Sequence, residues 1–178
     1  AHQSPAPIRG HKMNKVLFDL SQKCRTCLVE NPGSDGRKKI ADYLEQLLTD
    51  QDAIDNLVPL TTGERDLLYQ DPDLGFCILA HNYPGPKTVP PHDHGPSWAI
   101  YAQVRGETEM CEYELVQQAT NDTPGKVAVS KTYQMRPGDA YVYDEGVLHA
   151  PTRTRPTSLL RIEGTDMSKV KRLRYEQI

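Results

Sequence analysis

The chain has 178 residues, a net charge of −3 and a charged fraction of 25%. That length suits one domain with a real core rather than two, and the small negative charge gives no indication of a nucleic-acid or anionic-membrane partner. No apolar run approaches the roughly 20 residues that span a membrane, and residues 1–12 lack the apolar core of a signal peptide, so we expect a cytoplasmic protein.

The first third of the chain predicts helices. Residues 1–11 are rich in Pro, Gly and polar groups and predict a flexible lead. Apolar residues at helical spacing predict helices over 12–29 and 37–50, separated by the turn signal NPGSDG, and a short third helix over 51–58. We interpret residues 1–60 as a helical N-terminal cap that belongs to the same domain as the rest of the chain.

The first predicted helix contains a pair of cysteines, Cys24 and Cys27, in the spacing CxxC. Cysteines three residues apart on a helix share one face, which favours packing. The chain has no second pair that would complete a zinc site, and a lone CxxC is weak support for a redox role. The packing interpretation is therefore favoured over the redox one.

From Leu68 onward the pattern changes to short strands separated by turn signals such as DPDLG, YPGP and RPGD. The predicted strands cover residues 75–82, 88–92, 98–105, 108–117, 127–135, 140–143, 147–152 and 157–163. Many short strands with regular turns favour an antiparallel barrel or sandwich over residues 61–178. The last stretch, 166–178, is predicted to return to helix.

Three histidines stand out in this part of the chain. His92 and His94 are two residues apart in PPHDHGPSW, and on a strand such residues face the same side. His149 follows in RPGDAYVYDEGVLHAP. Three neutral imidazoles suit Fe(II), Zn(II), Ni(II) or Cu(II) and leave coordination positions open for a substrate, so we predict a metal site.

The region around His92 and His94 resembles the first motif of the cupin superfamily. That motif has H-x-H, three or four residues, Glu, six residues and Gly. This chain has His92 and His94, four residues, Ala99, six residues and Gly106. The glycine and both histidines are in register, and Ala99 stands in the glutamate position.

The region around His149 resembles the second cupin motif, which has G, five residues, P-x-G, two residues, H, three residues and N. Gly138, Gly146 and His149 are in register, with Asp144 in the proline position and Arg153 in the asparagine position. The resemblance implies a mainly β fold, a cupin antiparallel β-barrel of the jelly-roll type, here with the helical N-terminal region ahead of it.

Without the motif glutamate, the predicted ligand set is His92, His94 and His149 alone. Asp93 should point away from its flanking histidines, and Glu107 and Glu109 lie beyond the motif glycine. Three-histidine cupins of this kind resemble the cysteine dioxygenase (thiol dioxygenase) family and the diketone-cleaving dioxygenases. The resemblance implies Fe²⁺ as the cofactor, with Zn, Ni or Mn as alternatives, and O₂ as a co-substrate.

Further positions are compared with the thiol dioxygenases residue by residue. Arg65 lies about where the family's carboxylate-binding arginine falls, with a surface arginine as the alternative. The strand after the third ligand carries Leu159, Arg161 and Glu163 where the family commonly has Ser-x-His-x-Tyr. These three side chains share one face. If that face lines the barrel, Arg161 is placed to bind an anionic substrate and Glu163 to position it; the opposite parity would place both in solvent.

Three more side chains are predicted near the metal. Tyr101 and Gln103 follow Ala99 at period two and should line the same pocket, Tyr101 towards the substrate and Gln103 behind it. Tyr141 and Tyr143 flank the return strand; we expect only one of them to point inward and assign Tyr143 to the surroundings of the metal. No catalytic residue beyond the metal ligands is predicted.

These observations favour an Fe(II)-dependent dioxygenase that adds O₂ to a small anionic substrate, with a thiol carboxylic acid as the best candidate. The alternatives are a dioxygenase that cleaves a carbon–carbon bond in a diketone or aromatic acid, and a non-redox cupin that is an isomerase, a lyase or a binding module. The expected partners are a small-molecule substrate and O₂, without nucleic acid or membrane, and a homodimer is expected by resemblance only.

Overall fold

The computed structural model describes residues 13–178, so the predicted flexible lead over 1–11 lies outside the described residues. Three helices come first, and their bounds are Lys15–Glu30 (α1), Ser34–Leu47 (α2) and Gln51–Leu57 (α3). The side chain of Asn14 accepts a hydrogen bond from the amide of Leu17 and caps α1. α2 begins three residues earlier than predicted, inside the segment interpreted as a turn.

Ten strands follow, with the bounds Asp66–Gln70 (β1), Cys77–Tyr83 (β2), Lys87–Thr88 (β3), Ala99–Arg105 (β4), Thr108–Gln117 (β5), Gly125–Met135 (β6), Ala140–Tyr143 (β7), Leu148–Arg153 (β8), Thr157–Glu163 (β9) and Tyr175–Gln177 (β10). They form two five-stranded sheets in the orders β1-β2-β9-β4-β7 and β10-β6-β5-β8-β3. Apart from the edge strands β1 and β10, the two sheets have the orders β2-β9-β4-β7 and β3-β8-β5-β6, which are those of a double-sheet jelly roll, the architecture of cupins. The predicted fold class is confirmed.

The structure differs from the predictions in three segments. The edge strand β1 was missed. The prediction of a helix over 166–178 is wrong: a three-residue 3₁₀ helix, Met167–Lys169, is followed by β10, which pairs in parallel with β6. The spacing of its apolar residues is compatible with a helix, but backbone pairing of Tyr175–Gln177 with Gly125–Val127, which is distant in sequence, determines its conformation. The predicted strand over 88–92 is reduced to two residues, Lys87–Thr88.

The sheet that contains β9 and β4 has a different core on each face. On the outer face, Ile100 and Ile162 are fully buried and pack into one cluster with helical side chains such as Leu20 and Leu44. Because side chains alternate along a strand, the neighbouring residues Tyr101 on β4 and Arg161 and Glu163 on β9 point into the barrel. Cys24 and Cys27 belong to the outer cluster, and burial raises the pKa of the Cys24 thiol, which fits packing and not redox chemistry. No helix within residues 13–178 combines the length and the apolar character needed to cross a membrane.

Helix α2 also contacts the turn that leads to His149. The guanidinium of Arg37 pairs with Asp144 over 2.8 Å and with Glu145, and its central carbon lies 5.1 Å from the ring centre of Trp98. Asp144 occupies the position of the cupin motif proline. Ion pairs between the buried Arg37 and two partly exposed carboxylates, instead of a rigid proline ring, therefore hold this turn in place.

Replacement of Ile162 by Ala tests how firmly the helices and the sheet are joined. The substitution removes a fully buried side chain from the cluster that both share, and we expect a loss of about 2–5 kcal/mol in the free energy of unfolding. Urea denaturation followed by circular dichroism measures it. Val29→Ala on the exposed surface is the control, with a change below about 0.5 kcal/mol. Two separate unfolding transitions would contradict the prediction that residues 1–60 and 61–178 form one domain.

Candidate metal centre

A reciprocal backbone bridge joins the two histidine motifs. The amide of His92 donates to the carbonyl of His149 over 3.0 Å, and the amide of His149 donates to the carbonyl of His92 over 2.9 Å. The assumption that His92 and His94 share one strand is wrong, because His94 lies in the loop before β4, next to Gly95 with its positive φ of 56°. The ligands therefore come together through this bridge and loop, and not through strand parity.

The three imidazoles converge on one point. One ring nitrogen from each of His92, His94 and His149 lies within 4.8 Å of the other two, and the group could hold a metal ion. The Nε2 atoms of His94 and His149 are 3.2 Å apart. Two nitrogens that each bind one ion at about 2.1 Å, in adjacent positions, are separated by roughly 3.0–3.4 Å. The observed spacing fits a shared ion.

In His92 and His149 the ring nitrogen that points away from the other imidazoles, Nδ1, faces a hydrogen-bond acceptor, and this fixes the tautomer. Nδ1 of His92 lies 2.8 Å from the carbonyl of Pro90, and Nδ1 of His149 lies 3.0 Å from the carbonyl of Val147. A carbonyl can only accept, so both Nδ1 atoms carry hydrogen and both Nε2 lone pairs are free. Metal-binding histidines in proteins show this arrangement.

The protonation states of the histidines also suit a metal. Burial lowers the pKa of His92 to about 4 and lowers the pKa values of His94 and His149 as well. All three rings are therefore neutral near pH 7 and available as ligands. Imidazole donors suit iron, zinc, nickel and copper better than manganese, which favours oxygen ligands.

A carboxylate reaches the site from a neighbouring strand. Ala99 pairs directly with Glu163 across β4 and β9, so the glutamate absent from the first motif has a counterpart on β9. Oε1 of Glu163 lies 3.5 Å from Nδ1 of His94, on the far side of the ring from the converging nitrogens. Burial raises the pKa of Glu163, but the effects of His94 and Arg161 outweigh it and the net shift is downward. Glu163 is thus an anion behind a ligand and not itself a ligand.

Arg161 and Tyr101 lie beside the converging nitrogens. The hydroxyl of Tyr101 is 3.0 Å from Nε2 of His94, and Nη1 of Arg161 donates to that hydroxyl over 3.3 Å. Nε of Arg161 is 3.2 Å from Glu163. The structure therefore places Arg161 and Glu163 on the inner face of β9, and the alternative in which both face solvent is wrong.

Tyr143 packs against a ligand ring. It is fully buried and stacked on His149, with ring centres 4.6 Å apart. Its hydroxyl lies 2.6 Å from that of Tyr133, which donates to Glu112 over 2.7 Å. The expectation that only one of Tyr141 and Tyr143 points inward is wrong, because residues two apart on a strand share a face and both pack against the interior cluster. Tyr133 and Glu112 were not predicted.

Two predicted site residues lie elsewhere. Arg65 pairs with Asp166 over 3.2 Å and its side chain is 39% exposed, so a surface ion pair takes the place of the predicted substrate contact. Gln103 is fully buried on the inner face of β4, but it accepts from Thr108 over 2.9 Å and donates to the carbonyl of Arg105 over 3.1 Å. Both of its polar ends are occupied away from the histidines.

The sequence analysis treated Arg153 only as a departure from the motif. It is 3% exposed at the end of β8, on the same face as His149. Counting in steps of two from His149 would have placed it inside the barrel.

No protein-family model matches the chain, and no curated protein matches it. Among solved structures it is similar to a cupin superfamily protein from Desulfitobacterium hafniense, with a TM-score of 0.42, 14% identity and coverage of 57% of this chain and 76% of the other. It is also similar to KdgF from Halomonas sp. (TM-score 0.41, 20% identity, coverage 56% and 75%). A third is the cupin domain of a Schizosaccharomyces pombe protein (TM-score 0.44, 11% identity, coverage 59% and 62%). The assignment of the fold rests on the strand order of this chain.

Replacement of His149 by Ala should abolish binding of a stoichiometric metal ion, because two of the three nitrogens cannot hold the ion in place. Metal content after reconstitution and dialysis, measured by mass spectrometry, tests this. The matched control is His81→Ala: His81 is buried in the same barrel, but its Nδ1 bonds the carbonyl of Glu64 and it is outside the triad. Equal metal content in wild type and His149→Ala would contradict the site.

The stability of the metal-free protein should fall as the pH is lowered. Burial, reinforced by the Arg161 charge, lowers the pKa of His81 to about 3, whereas an unfolded histidine has a pKa near 6.5. Below about pH 6.5 the unfolded chain binds a proton that the folded chain does not, so stability is lost towards pH 3 and unaffected above pH 6.5. We expect His81 to contribute at most about 1.4 kcal/mol per pH unit. Urea midpoints between pH 7 and pH 5 measure this, and His81→Gln should show a shallower slope; parallel slopes would contradict the assignment.

Proposed function

We propose that this chain is a mononuclear non-haem iron dioxygenase that adds O₂ to a small anionic substrate, a thiol carboxylic acid, and forms the sulfinic acid. The observation that carries the proposal is the pairing of Arg161 with Tyr101 directly beside three converging neutral imidazoles. An anion-binding group and a hydroxyl therefore face the place where an ion would lie.

The charge of the ligand set supports an anionic substrate. His92, His94 and His149 are neutral, and Ala99 supplies no anion, so the two positive charges of the ion are not offset by its own ligands. A substrate that brings a thiolate and a carboxylate offsets them in a buried site where an unpaired charge is costly.

Each side chain has a definite task in this proposal. Iron supplies the redox chemistry that joins both oxygen atoms of O₂ to the sulfur of the thiol, so that R–SH and O₂ give R–SO₂H. Arg161 binds the substrate carboxylate with its planar guanidinium, which matches two carboxylate oxygens. The Tyr101 hydroxyl holds a proton at the reacting end, and Glu163 orients both His94 and Arg161.

The same residues disfavour free cysteine as the substrate. The strand after the third ligand carries Leu159, Arg161 and Glu163 where thiol dioxygenases commonly have Ser-x-His-x-Tyr, so the familiar groups around the metal are absent. The arginine charge in this small interior would repel the ammonium group of an amino acid. A thiol acid without an amine fits better.

Oxygen uptake by iron-loaded protein tests the proposal. With 3-mercaptopropionate we expect O₂ consumption and a product heavier by two oxygen atoms, identified by mass spectrometry. Arg161→Met should raise KM at least about tenfold, because a charge-assisted hydrogen bond to the carboxylate is lost. Arg155→Met, on the exposed surface, is the matched control and should leave KM unchanged.

Three results would overturn the proposal. Iron-loaded protein that consumes no O₂ with any of a panel of thiol acids would exclude thiol oxidation. Cleaved carbon fragments from a diketone or aromatic acid would indicate the carbon–carbon-cleaving reaction of the same ligand set. Stoichiometric zinc or nickel in the purified protein, with no O₂ consumption after exchange for iron, would indicate a non-redox cupin.

A further inference from the structure

A second arginine is buried inside the barrel without a counter-ion. Arg153 is 3% exposed, and its Nε donates to the hydroxyl of Thr108 over 3.1 Å. Its guanidinium carbon lies 5.0 Å from the ring centre of Tyr83. Within residues 13–178, no carboxylate lies within ion-pair distance of this guanidinium. A buried charge of this kind needs a partner that the chain does not supply.

The polar groups around Arg153 do not neutralise it. The Thr108 hydroxyl donates a hydrogen bond to Gln103, and the amide of Gln103 donates to the carbonyl of Arg105. The network is therefore made of neutral groups. Burial lowers the pKa of Arg153, and the charge of Arg161 acts in the same direction. The guanidinium is therefore held in an unfavourable environment unless an anion joins it.

The charges inside the barrel can be balanced against a substrate. Glu163 offsets one of the two arginines, and Glu112 is offset by Lys131. With a divalent ion at the histidines, three positive charges remain. A thiol acid with one carboxylate brings two negative charges, whereas a thiol acid with two carboxylates brings three.

The two arginines border a common space. Arg161 lies on the inner face of the central strand β9, yet 14% of its side chain is accessible to solvent, so solvent reaches into the barrel beside it. The guanidinium carbon of Arg153 lies 5.0 Å from the ring centre of Tyr83, and that of Arg161 lies 5.7 Å from the ring centre of Tyr101. Tyr83 packs against the interior cluster that contains Tyr101, so the four side chains surround one interior. One small molecule can therefore contact both guanidinium groups.

We infer that Arg153 and Tyr83 form an anion subsite deep in the barrel, and that the substrate is an acid with two carboxylate groups. This rests on the proposed function for the position of the ion and of Arg161. One carboxylate binds Arg161 beside the histidines. The second binds the terminal nitrogens of Arg153, with the Tyr83 ring against the carbon chain.

Binding of matched acids to the metal-loaded protein under anaerobic conditions tests the subsite. Succinate and butyrate have four carbons each and differ by one carboxylate, and we expect succinate to bind about tenfold more tightly by calorimetry. Arg153→Met should reduce succinate to the affinity of butyrate and leave butyrate within about twofold of wild type. Arg155→Met, exposed on the surface, should keep the preference. Equal affinities in wild type, or a preference retained in Arg153→Met, would overturn the inference.

A second measurement uses the wild-type protein and tests the anion subsite even if Arg153→Met does not fold. Across succinate, glutarate and adipate, two fixed guanidinium groups predict one optimal chain length, whereas a flat series would overturn the subsite. Neither measurement requires turnover. A preference for diacids without O₂ uptake would refute the proposed function alone, and O₂ uptake with monocarboxylic thiols but no diacid preference would refute the subsite alone.

Discussion

The pairing of β4 with β9 is the constraint on which the interior of this protein depends. It sets Ala99 opposite Glu163 and Tyr101 opposite Arg161, so the carboxylate behind His94 and the guanidinium that donates to Tyr101 come from one strand. A shift of this register by one residue would exchange the faces of β9 and send Leu160 and Ile162 into the barrel. The apolar cluster shared with the helices excludes that shift, and the outer core thereby fixes the inner site.

The sequence predicted what depends on spacing along the chain and missed what depends on contacts between distant segments. The three histidines follow from motif spacing, and most strand bounds and the shared face of Arg161 and Glu163 follow from local patterns. The pairing of Ala99 with Glu163 does not, because register between strands is a tertiary property. Arg65 shows the same limit. Its distance from the metal motif along the chain resembles a family pattern, but it forms an ion pair with Asp166, which is 101 residues away in sequence.

The outer face of β9 contributes to the stability of the fold, and its inner face contributes polar groups to the candidate metal centre. Ile162 and Leu160 contribute burial of apolar surface, which scales with the area removed from water. Glu163 and Arg161 contribute buried charges whose desolvation offsets much of their mutual attraction. Such a pair is weak support for stability, and Oε1 and Oε2 of Glu163 have no hydrogen-bond partner within residues 13–178. Buried polar atoms without hydrogen-bond partners lower stability, and they are expected where a functional site requires them.

The missing motif glutamate changes where the negative charge comes from. A carboxylate in the Ala99 position would bind the ion directly and offset part of its charge at all times. In this chain the carboxylate belongs to Glu163 instead. Its Oε1 lies 3.5 Å from Nδ1 of His94 and 3.2 Å from Nε of Arg161, so it orients both groups without occupying a coordination position. In the proposed function the substrate must then bring the anions that complete the site. Binding and charge neutralisation become one event, and a neutral or cationic molecule of the same shape would leave the buried positive charges unpaired.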